Sequence, residues 1–215
     1  MSNINEKYIE KYIREVIPEK PIYLREMEDY AKKHHIPIIE PEVAQFLKVI
    51  LKVKKPRKIL EIGTAIGYSA LVMANALSGT CQITTIERRE DMIALADQYI
   101  KKTPYTDNIK IIKGQAEEIL PRLKKKYDLI FIDAAKGQYM EFFNECTKCL
   151  NPEGLIISDN VLFRGMVASD DLVVRRKKTI VKRLRQYLEY INEIPGYTSS
   201  LIPIGDGVAL TYREA

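Results

Sequence analysis

The sequence predicts an α/β fold built on a mostly parallel sheet, and three observations indicate it. From residue 58 onward, short apolar runs alternate with stretches of helical spacing, which implies crossover connections between parallel strands. The run Lys58–Ile62 ends at Gly63, as expected for a buried strand that turns into a helix. The last two apolar stretches surround Gly205-Asp206-Gly207, which predicts a closing antiparallel hairpin.

The N-terminal part, residues 1–56, is predicted to form a helical cap with helices at 4–17, 22–34 and 41–53. Pro18 and Pro21 separate the first two helices, and Pro37 discourages continuation of the second. Together with a core at 57–215, the cap is expected to form one domain, because 215 residues is an ordinary single-domain length.

The core is predicted to contain seven strands and five helices. Asn151-Pro152-Glu153-Gly154 is interpreted as a turn that precedes the fifth strand. The predicted strands are 58–62, 82–87, 109–113, 127–132, 154–158, 198–204 and 208–212, and the predicted helices are 67–78, 89–102, 115–125, 137–149 and 171–194.

Composition limits the class of protein. Hydrophobic residues make up 46% and charged residues 29% of the chain, which is ordinary for a globular protein. We expect a cytoplasmic protein without a membrane span, because no apolar run is long enough to cross a bilayer and the N-terminus lacks an apolar signal region. Cys81, Cys146 and Cys149 are expected to be free thiols, the last two on a helix face.

The glycine turn after the first strand predicts a nucleoside site. Gly63 and Gly67 are spaced G-x-x-x-G, which differs from the G-x-G-x-x-G pattern that cradles a pyrophosphate. Glu87 ends the second strand roughly 20 residues later, where a ribose-binding carboxylate is expected. The pair favours S-adenosylmethionine over NAD; the alternative is a strand-turn with a surface glutamate.

Two further strands end in oxygen-bearing side chains. Asp133 follows the fourth strand, and Asp159 and Asn160 follow the fifth, so all three are expected at the same sheet edge as Gly63. These hard oxygen ligands suit an octahedral Mg²⁺ better than zinc. The alternative is that both aspartates only cap strand ends. Lys136, three residues after Asp133, is predicted to face the metal and to act as a base.

The predicted metal indicates the kind of acceptor. In methyl transfer, a metal ion lowers the pKa of a bound hydroxyl and fixes its direction when the acceptor carries a second oxygen beside it. The residues therefore predict an acceptor with two adjacent oxygens.

A basic segment follows these residues. The segment from residue 164 to residue 185 contains eight lysines and arginines but only two aspartates, although the whole chain has a net charge of only +5. Such a segment is either a nucleic-acid contact or a solvated surface. The candidate RNA-binding residues are Arg164, Arg175, Arg176, Lys177 and Lys178.

Four stretches carry a family resemblance: EIGTAIGYSA (61–70), FIDAAKGQY (131–139), DNVLFRG (159–165) and IPIGDGVAL (202–210). The chain resembles the metal-dependent class I O-methyltransferases, which include the catechol and caffeoyl-CoA enzymes. The resemblance implies a Rossmann-like fold, a homodimer, and cofactor contacts at Gly63, Ser69, Glu87 and Ala116, with Glu61 supporting the methionine end. Ala116 replaces a serine of some relatives, which implies a backbone contact there. The stretch HHIPIIE (34–40) extends the resemblance to the N-terminal part of the chain. Ile38 is expected to form part of the floor of the cofactor site, and Asp133 is expected to lie next to the cofactor.

Within the family, AAKGQY and DNVLFRG are most similar to bacterial tRNA 5-hydroxyuridine methyltransferases. This likeness implies a tRNA anticodon loop as partner, because unpaired bases there can be splayed out and the 5-hydroxyl and O4 of 5-hydroxyuridine are adjacent oxygens. The alternatives are a small-molecule catechol-type methyltransferase, an NAD-binding oxidoreductase, and an inactive nucleic-acid-binding module.

Overall fold

A computed structural model describes residues 3–215, so Met1 and Ser2 of the predicted cap lie outside the described residues. Its seven strands form one sheet in the order β3-β2-β1-β4-β5-β7-β6. The first five are parallel, and β7 is antiparallel to both of its neighbours. The strands are β1 Lys58–Ile62, β2 Gln82–Glu87, β3 Ile109–Lys113, β4 Tyr127–Ile132, β5 Leu150–Ser158, β6 Tyr197–Ile202 and β7 Val208–Arg213. The predicted fold class is confirmed.

Helices cover both faces of the sheet. The helices are α1 Lys7–Glu15, α2 Ile22–His34, α3 Pro41–Lys54, α4 Tyr68–Ala76, α5 Glu90–Lys101, α6 Ala116–Ile119, α7 Tyr139–Cys149 and α8 Lys178–Glu193. Alternate residues of one strand enter different cores: Phe131 packs with α2–α5, whereas Ile130 and Ile132 pack with α6–α8. The three cysteines are buried and free, as expected. Within residues 3–215, every helix is too short or too polar to cross a membrane.

Three predicted elements need correction. The helix predicted at 115–125 ends at Ile119 and continues only as a 3-10 turn to Arg122, because Pro121 has no N–H for a helical hydrogen bond. The turn predicted at 151–154 belongs to β5, which begins at Leu150 and absorbs Glu153 (φ 57°) as an irregularity.

The third correction concerns the helix predicted at 171–194, since α8 begins only at Lys178. Two 3-10 turns, Asp170–Leu172 and Arg175–Lys177, precede it. Arg175, Arg176 and Lys177 therefore lie on a turn before the helix. The remaining predicted elements differ from the structure by at most three residues at either end, a range in which helix ends commonly fray.

The strand order positions a site. The chain builds outward from β1 through β2 to β3, and then returns to build outward from β4 on the other side. In an open α/β sheet, such a reversal leaves a crevice at the carboxyl ends of the two central strands, because the flanking connections leave in opposite directions. Here the crevice lies between Ile62 at the end of β1 and Ile132 at the end of β4.

Candidate active site

Backbone hydrogen bonds join the carboxyl ends of the central strands. The Asp133 N–H donates to the Ile62 carbonyl at 2.9 Å, and the Asp159 N–H donates to the Ile132 carbonyl at 3.0 Å. These bonds continue the sheet ladder one residue beyond each strand. The ends of β1, β4 and β5 are therefore side by side, as the sequence predicted.

A cavity of about 450 Å³ opens at this edge. Its volume lies within the usual range for a small-molecule site. Eight of the predicted site residues line it: Ile38, Gly63, Ser69, Glu87, Ala116, Asp133, Lys136 and Asn160. Glu61 and Asp159 are buried outside this wall, and Arg164 and Arg175–Lys178 also lie outside it.

Gly63 brings two strand ends into backbone contact. Its φ of 102° lies in a region that side-chain-bearing residues rarely adopt. A Cβ at this position would lie 2.1 Å from the carbonyl oxygen of Asp133. The glycine turn and the Asp133 strand end are therefore packed so closely that only glycine fits between them.

Glu87 is held by three backbone amides. Its Oε2 accepts the Ala65 N–H at 3.0 Å, and its Oε1 accepts the Arg88 and Arg89 N–H groups at 2.9 Å each. These bonds fix the carboxylate against the glycine turn at the cavity wall. Because each carboxylate oxygen can accept two hydrogen bonds, Oε2 retains capacity for a hydroxyl donor.

Glu61 is a fully buried carboxyl group beneath the cavity. Ser69, in the first turn of α4, donates to its Oε1, and Thr85 of β2 donates to its Oε2 at 2.5 Å. Thr64 in turn bonds to Thr85 at 2.5 Å. Burial raises the pKa of Glu61 to about 7, although the Ser69 and Thr85 hydroxyls oppose the rise.

We expect Glu61→Gln to reduce the pH dependence of stability. The folded protein holds a proton on Glu61 that the unfolded chain releases near pH 4.5, so wild-type stability falls as pH rises from there through about 7. The loss from this group is about 3 kcal/mol. Urea unfolding at pH 4.5 and 8 measures it; an equal drop in both proteins would contradict the assignment.

Asp159 is the least satisfied polar group of the site. Its Oδ1 accepts the Asn160 N–H at 2.7 Å, whereas its Oδ2 is buried with no hydrogen-bond partner among the described residues. Burial, and then the charge of Asp133, raise the pKa of Asp159 well above its ordinary value. Burial also raises the pKa of Asp133, which the Lys136 ammonium partly offsets.

This arrangement fits a hard divalent cation. A cation would use the unpartnered Oδ2 of Asp159 and would neutralise two carboxylates that burial otherwise drives toward protonation. Across residues 3–215, no three His, Cys, Asp or Glu side chains cluster as a metal site. The side chains that such a cation could contact here are Asp133, Asp159 and the amide of Asn160, and its other ligands would have to be oxygens from outside this set.

Lys136 and Asn160 are directly linked. The Lys136 Nζ donates to the Asn160 Oδ1 at 2.7 Å, which brings the predicted base and the predicted amide ligand together. Asn160 has a φ of 56°, a left-handed conformation that turns the chain sharply after Asp159. A non-glycine residue held in this way costs about 1–3 kcal/mol and is typical of functional sites.

Several known proteins that are similar to this chain are named as O-methyltransferases. The family model described as "O-methyltransferase" matches residues 14–214. The chain belongs to the O-methyltransferase family. A caffeoyl-CoA O-methyltransferase of Eucalyptus gunnii is 30% identical, with 94% of this chain and 86% of that protein aligned. A catechol O-methyltransferase of Niastella koreensis is 34% identical, with 62% of each chain aligned.

Solved structures agree with this family membership. A Staphylococcus aureus protein assigned as a caffeoyl-CoA O-methyltransferase superposes with a TM-score of 0.90 at 34% identity, over 96% of this chain and all of that one. An O-methyltransferase of Bacillus cereus, solved in complex with SAH, superposes with a TM-score of 0.84 at 26% identity, over 96% and 97% of the two chains.

In this O-methyltransferase, the basic segment contacts the active-site loops. Arg183 of α8 donates to the carbonyl of Gly137 at 3.1 Å, in the turn that carries Lys136. The Lys177 ammonium lies 5.6 Å from the centre of the Phe163 ring, in the loop after Asn160. The segment is therefore close to the site, while Arg175 and Arg176 are exposed.

Sequence reasoning missed several residues of the O-methyltransferase site. Thr64 and Thr85 complete the Glu61 network, and Thr85 could have been found because it lies opposite Glu61 in the β1–β2 register. His34 and His35, which sequence reasoning placed in no functional role, both line the cavity. His34 does end α2 and also stacks on Tyr30, with ring centroids 4.1 Å apart.

Proposed function

We propose that this protein transfers a methyl group from S-adenosylmethionine to a hydroxyl that has a second oxygen beside it, in a reaction that depends on a divalent cation. The observation that carries the proposal is the buried, unpartnered Asp159 oxygen, which belongs to a residue directly behind the cavity wall that Asp133 and Asn160 line. When bound, S-adenosylmethionine supplies the methyl group, and Mg²⁺ supplies acidity to the chelated hydroxyl.

The residues have distinct roles in this proposal. Glu87, fixed by backbone amides, accepts a ribose hydroxyl at Oε2, and the Ser69–Glu61 pair supports the methionine end. Asp133, Asp159 and Asn160 would hold the cation. Lys136 donates from Nζ to Asn160 Oδ1; as a neutral amine, Nζ would keep this N–H bond and receive the acceptor's proton at its lone pair, which leaves the acceptor oxygen as an anion facing the methyl group.

The direct test measures methyl transfer from labelled S-adenosylmethionine in the presence of Mg²⁺. Catechol and tRNA that carries 5-hydroxyuridine serve as the two acceptors, and EDTA-treated protein serves as the control. We expect methylation of at least one acceptor that EDTA abolishes and Mg²⁺ restores. Full activity in chelator would contradict the metal, and cofactor binding without transfer to either acceptor would contradict the acceptor class.

Two acceptors are supported by different observations. The names of the relatives, catechol and caffeoyl-CoA O-methyltransferases, support a small-molecule acceptor, and they support it better than they support tRNA. The exposed cations Arg175, Arg176 and Lys178, with the half-buried Lys177 beside the loop after Asn160, support 5-hydroxyuridine in a tRNA anticodon loop. The family match leaves the NAD-oxidoreductase alternative without support. The homodimer and the cytoplasmic location stay predictions.

Charge reversal at Arg175 and Arg176 separates the two acceptors. If tRNA is the acceptor, the double variant to glutamate should raise the KM for tRNA at least about tenfold, because two phosphate contacts become repulsive. The slope of the logarithm of tRNA affinity against the logarithm of salt concentration should also become shallower by about one unit for each lost phosphate contact. Transfer to catechol should stay unchanged.

The matched control reverses Lys124 and Lys125, two exposed lysines just before β4 at the opposite edge of the sheet. This change has the same charge but lies far along the strands from the site. If the two double variants affect tRNA methylation equally, the effect of reversing Arg175 and Arg176 is explained by total charge alone. That result would favour the small-molecule acceptor.

A further inference from the structure

The turn between β6 and β7 lies against the loop that follows the metal-ligand candidates. β7 is antiparallel to β5, with Ala209 opposite Ser158, so the start of β7 lies beside the carboxyl end of β5. This register brings Asp206 to the sheet edge next to Asp159. The Asp206 carboxylate is also one of the charges that raise the pKa of Asp159.

Three amides of the loop after Asn160 donate to this turn. The Val161 N–H donates to the Gly207 carbonyl at 2.9 Å, and the Leu162 N–H donates to the Asp206 carbonyl at 3.0 Å. The Arg164 N–H donates to the Asp206 side chain at Oδ1. A Cβ at Gly207 would lie 2.4 Å from Leu162 Cγ, so the turn and the loop are packed without space between them.

The same loop contains an unusual run of left-handed residues. Asn160, Phe163 and Arg164 have φ values of 56°, 45° and 58°, and none of them is glycine. Side-chain-bearing residues keep such conformations only where surrounding contacts hold them. The Asp206 Oδ1 bond is made to an amide within this run, and it is a side-chain bond that a single substitution can remove.

We propose that Asp206 is a positioning residue, whose side-chain oxygen holds the Phe163–Arg164 turn and thereby presets Asn160 for the divalent cation. The proposal rests on the metal-dependent function proposed above. Asp206 acts through the loop rather than by contact with the cation or the acceptor. Its role is the hydrogen bond that it accepts, as opposed to the negative charge that it adds near Asp159 and Lys136.

Two conservative variants separate the hydrogen bond from the charge. Asp206→Asn keeps an oxygen at the Oδ1 position and loses the charge. Asp206→Glu keeps the charge and moves the oxygens one carbon further from the Arg164 amide. A positioning role predicts that the asparagine variant resembles wild type, whereas a charge role predicts that the glutamate variant does.

Binding of Mn²⁺, measured by electron paramagnetic resonance with S-adenosylhomocysteine present, is the first readout. We expect D206N to bind within about threefold of wild type and D206E to bind at least about tenfold more weakly, as is usual when the support of a metal ligand is lost. Affinity for S-adenosylhomocysteine should be unchanged in both, which shows that the cofactor cavity is intact. Equal binding by both variants, or weaker binding by D206N, would overturn the role of Asp206.

Hydrogen exchange of the Arg164 amide in metal-free protein is the second readout. We expect protection in wild type and D206N, and at least tenfold faster exchange in D206E. Wild-type protein that binds no Mn²⁺ would refute the proposed metal function, and the exchange result would then still decide whether Asp206 holds the turn. Equal protection in D206E and D206N would overturn the positioning role whatever the metal result.

Discussion

Asp159→Asn is expected to lower methyl transfer at least about 100-fold and, at the same time, to stabilise the metal-free protein. The activity falls because loss of a ligand should cost more than the 10–100-fold that loss of a ligand's hydrogen-bond support costs. Stability rises because an amide removes a buried carboxyl group that has no partner at Oδ2, while its oxygen can still accept the Asn160 N–H.

The sign of the stability change depends on pH. The folded-state pKa of Asp159 is raised by burial and by Asp133, so the metal-free wild type loses stability as pH rises above about 4. We therefore expect D159N to melt at a higher temperature than wild type at pH 8 and at a similar temperature at pH 4. Addition of Mg²⁺ should stabilise only wild type.

Asp128→Asn is the matched control, because Asp128 lies near the start of β4, the strand beside β5, and so at the opposite end of the sheet from Asp159. Burial opposes ionisation there, but the Asn151 side chain and the Arg57 and Lys58 amides hold the pKa of Asp128 below its usual value. D128N should therefore lose stability at neutral pH and keep activity. A D159N variant that is less stable than wild type at pH 8 without metal would refute the interpretation that the unpartnered Asp159 carboxylate destabilises the metal-free protein.

Gly63→Ala is expected to destabilise the protein by roughly 4 kcal/mol or more. The added Cβ would lie 2.1 Å from the Asp133 carbonyl oxygen. The backbone that carries the Cβ and the backbone that carries this carbonyl both lie at the centre of the sheet, where neither can move freely. The variant should also lose affinity for S-adenosylhomocysteine, since the displaced turn lines the cavity. Urea unfolding and isothermal titration measure the two effects.

Gly196→Ala provides the matched control, because Gly196 also has a positive φ, 78°, but has nothing within 4 Å of an added Cβ. Its cost should be about 1–2 kcal/mol, the penalty for a left-handed conformation alone. The difference between the two variants measures the close approach of the two strand ends. Similar losses in both variants would show that Gly63 is needed only for its backbone angle.

The sequence predicted the sheet well because strands and glycine turns are encoded by short-range patterns. The run Lys58–Ile62 with Gly63 identifies a buried strand and its turn without reference to the rest of the chain. Where the predicted boundary of a helix or strand was wrong, an interaction that the local sequence pattern does not contain set the boundary. Pro121 ended a helix early, and Leu150 gained a partner in Tyr127 that kept residues 151–154 within a strand.

The sequence by itself determined the parallel sheet and the residue types at its edge, since Gly63, Glu87, Asp133 and Asp159 each follow or end a recognisable strand. Only the tertiary structure decided which of these groups lack a partner and which loops hold them. The Asp159 Oδ2 and the Arg164–Asp206 bond depend on burial and on contacts between distant parts of the chain. Local periodicity indicates on which face of a strand or helix a side chain lies. The free energy of a buried polar group, by contrast, depends on every neighbour that folding brings to it.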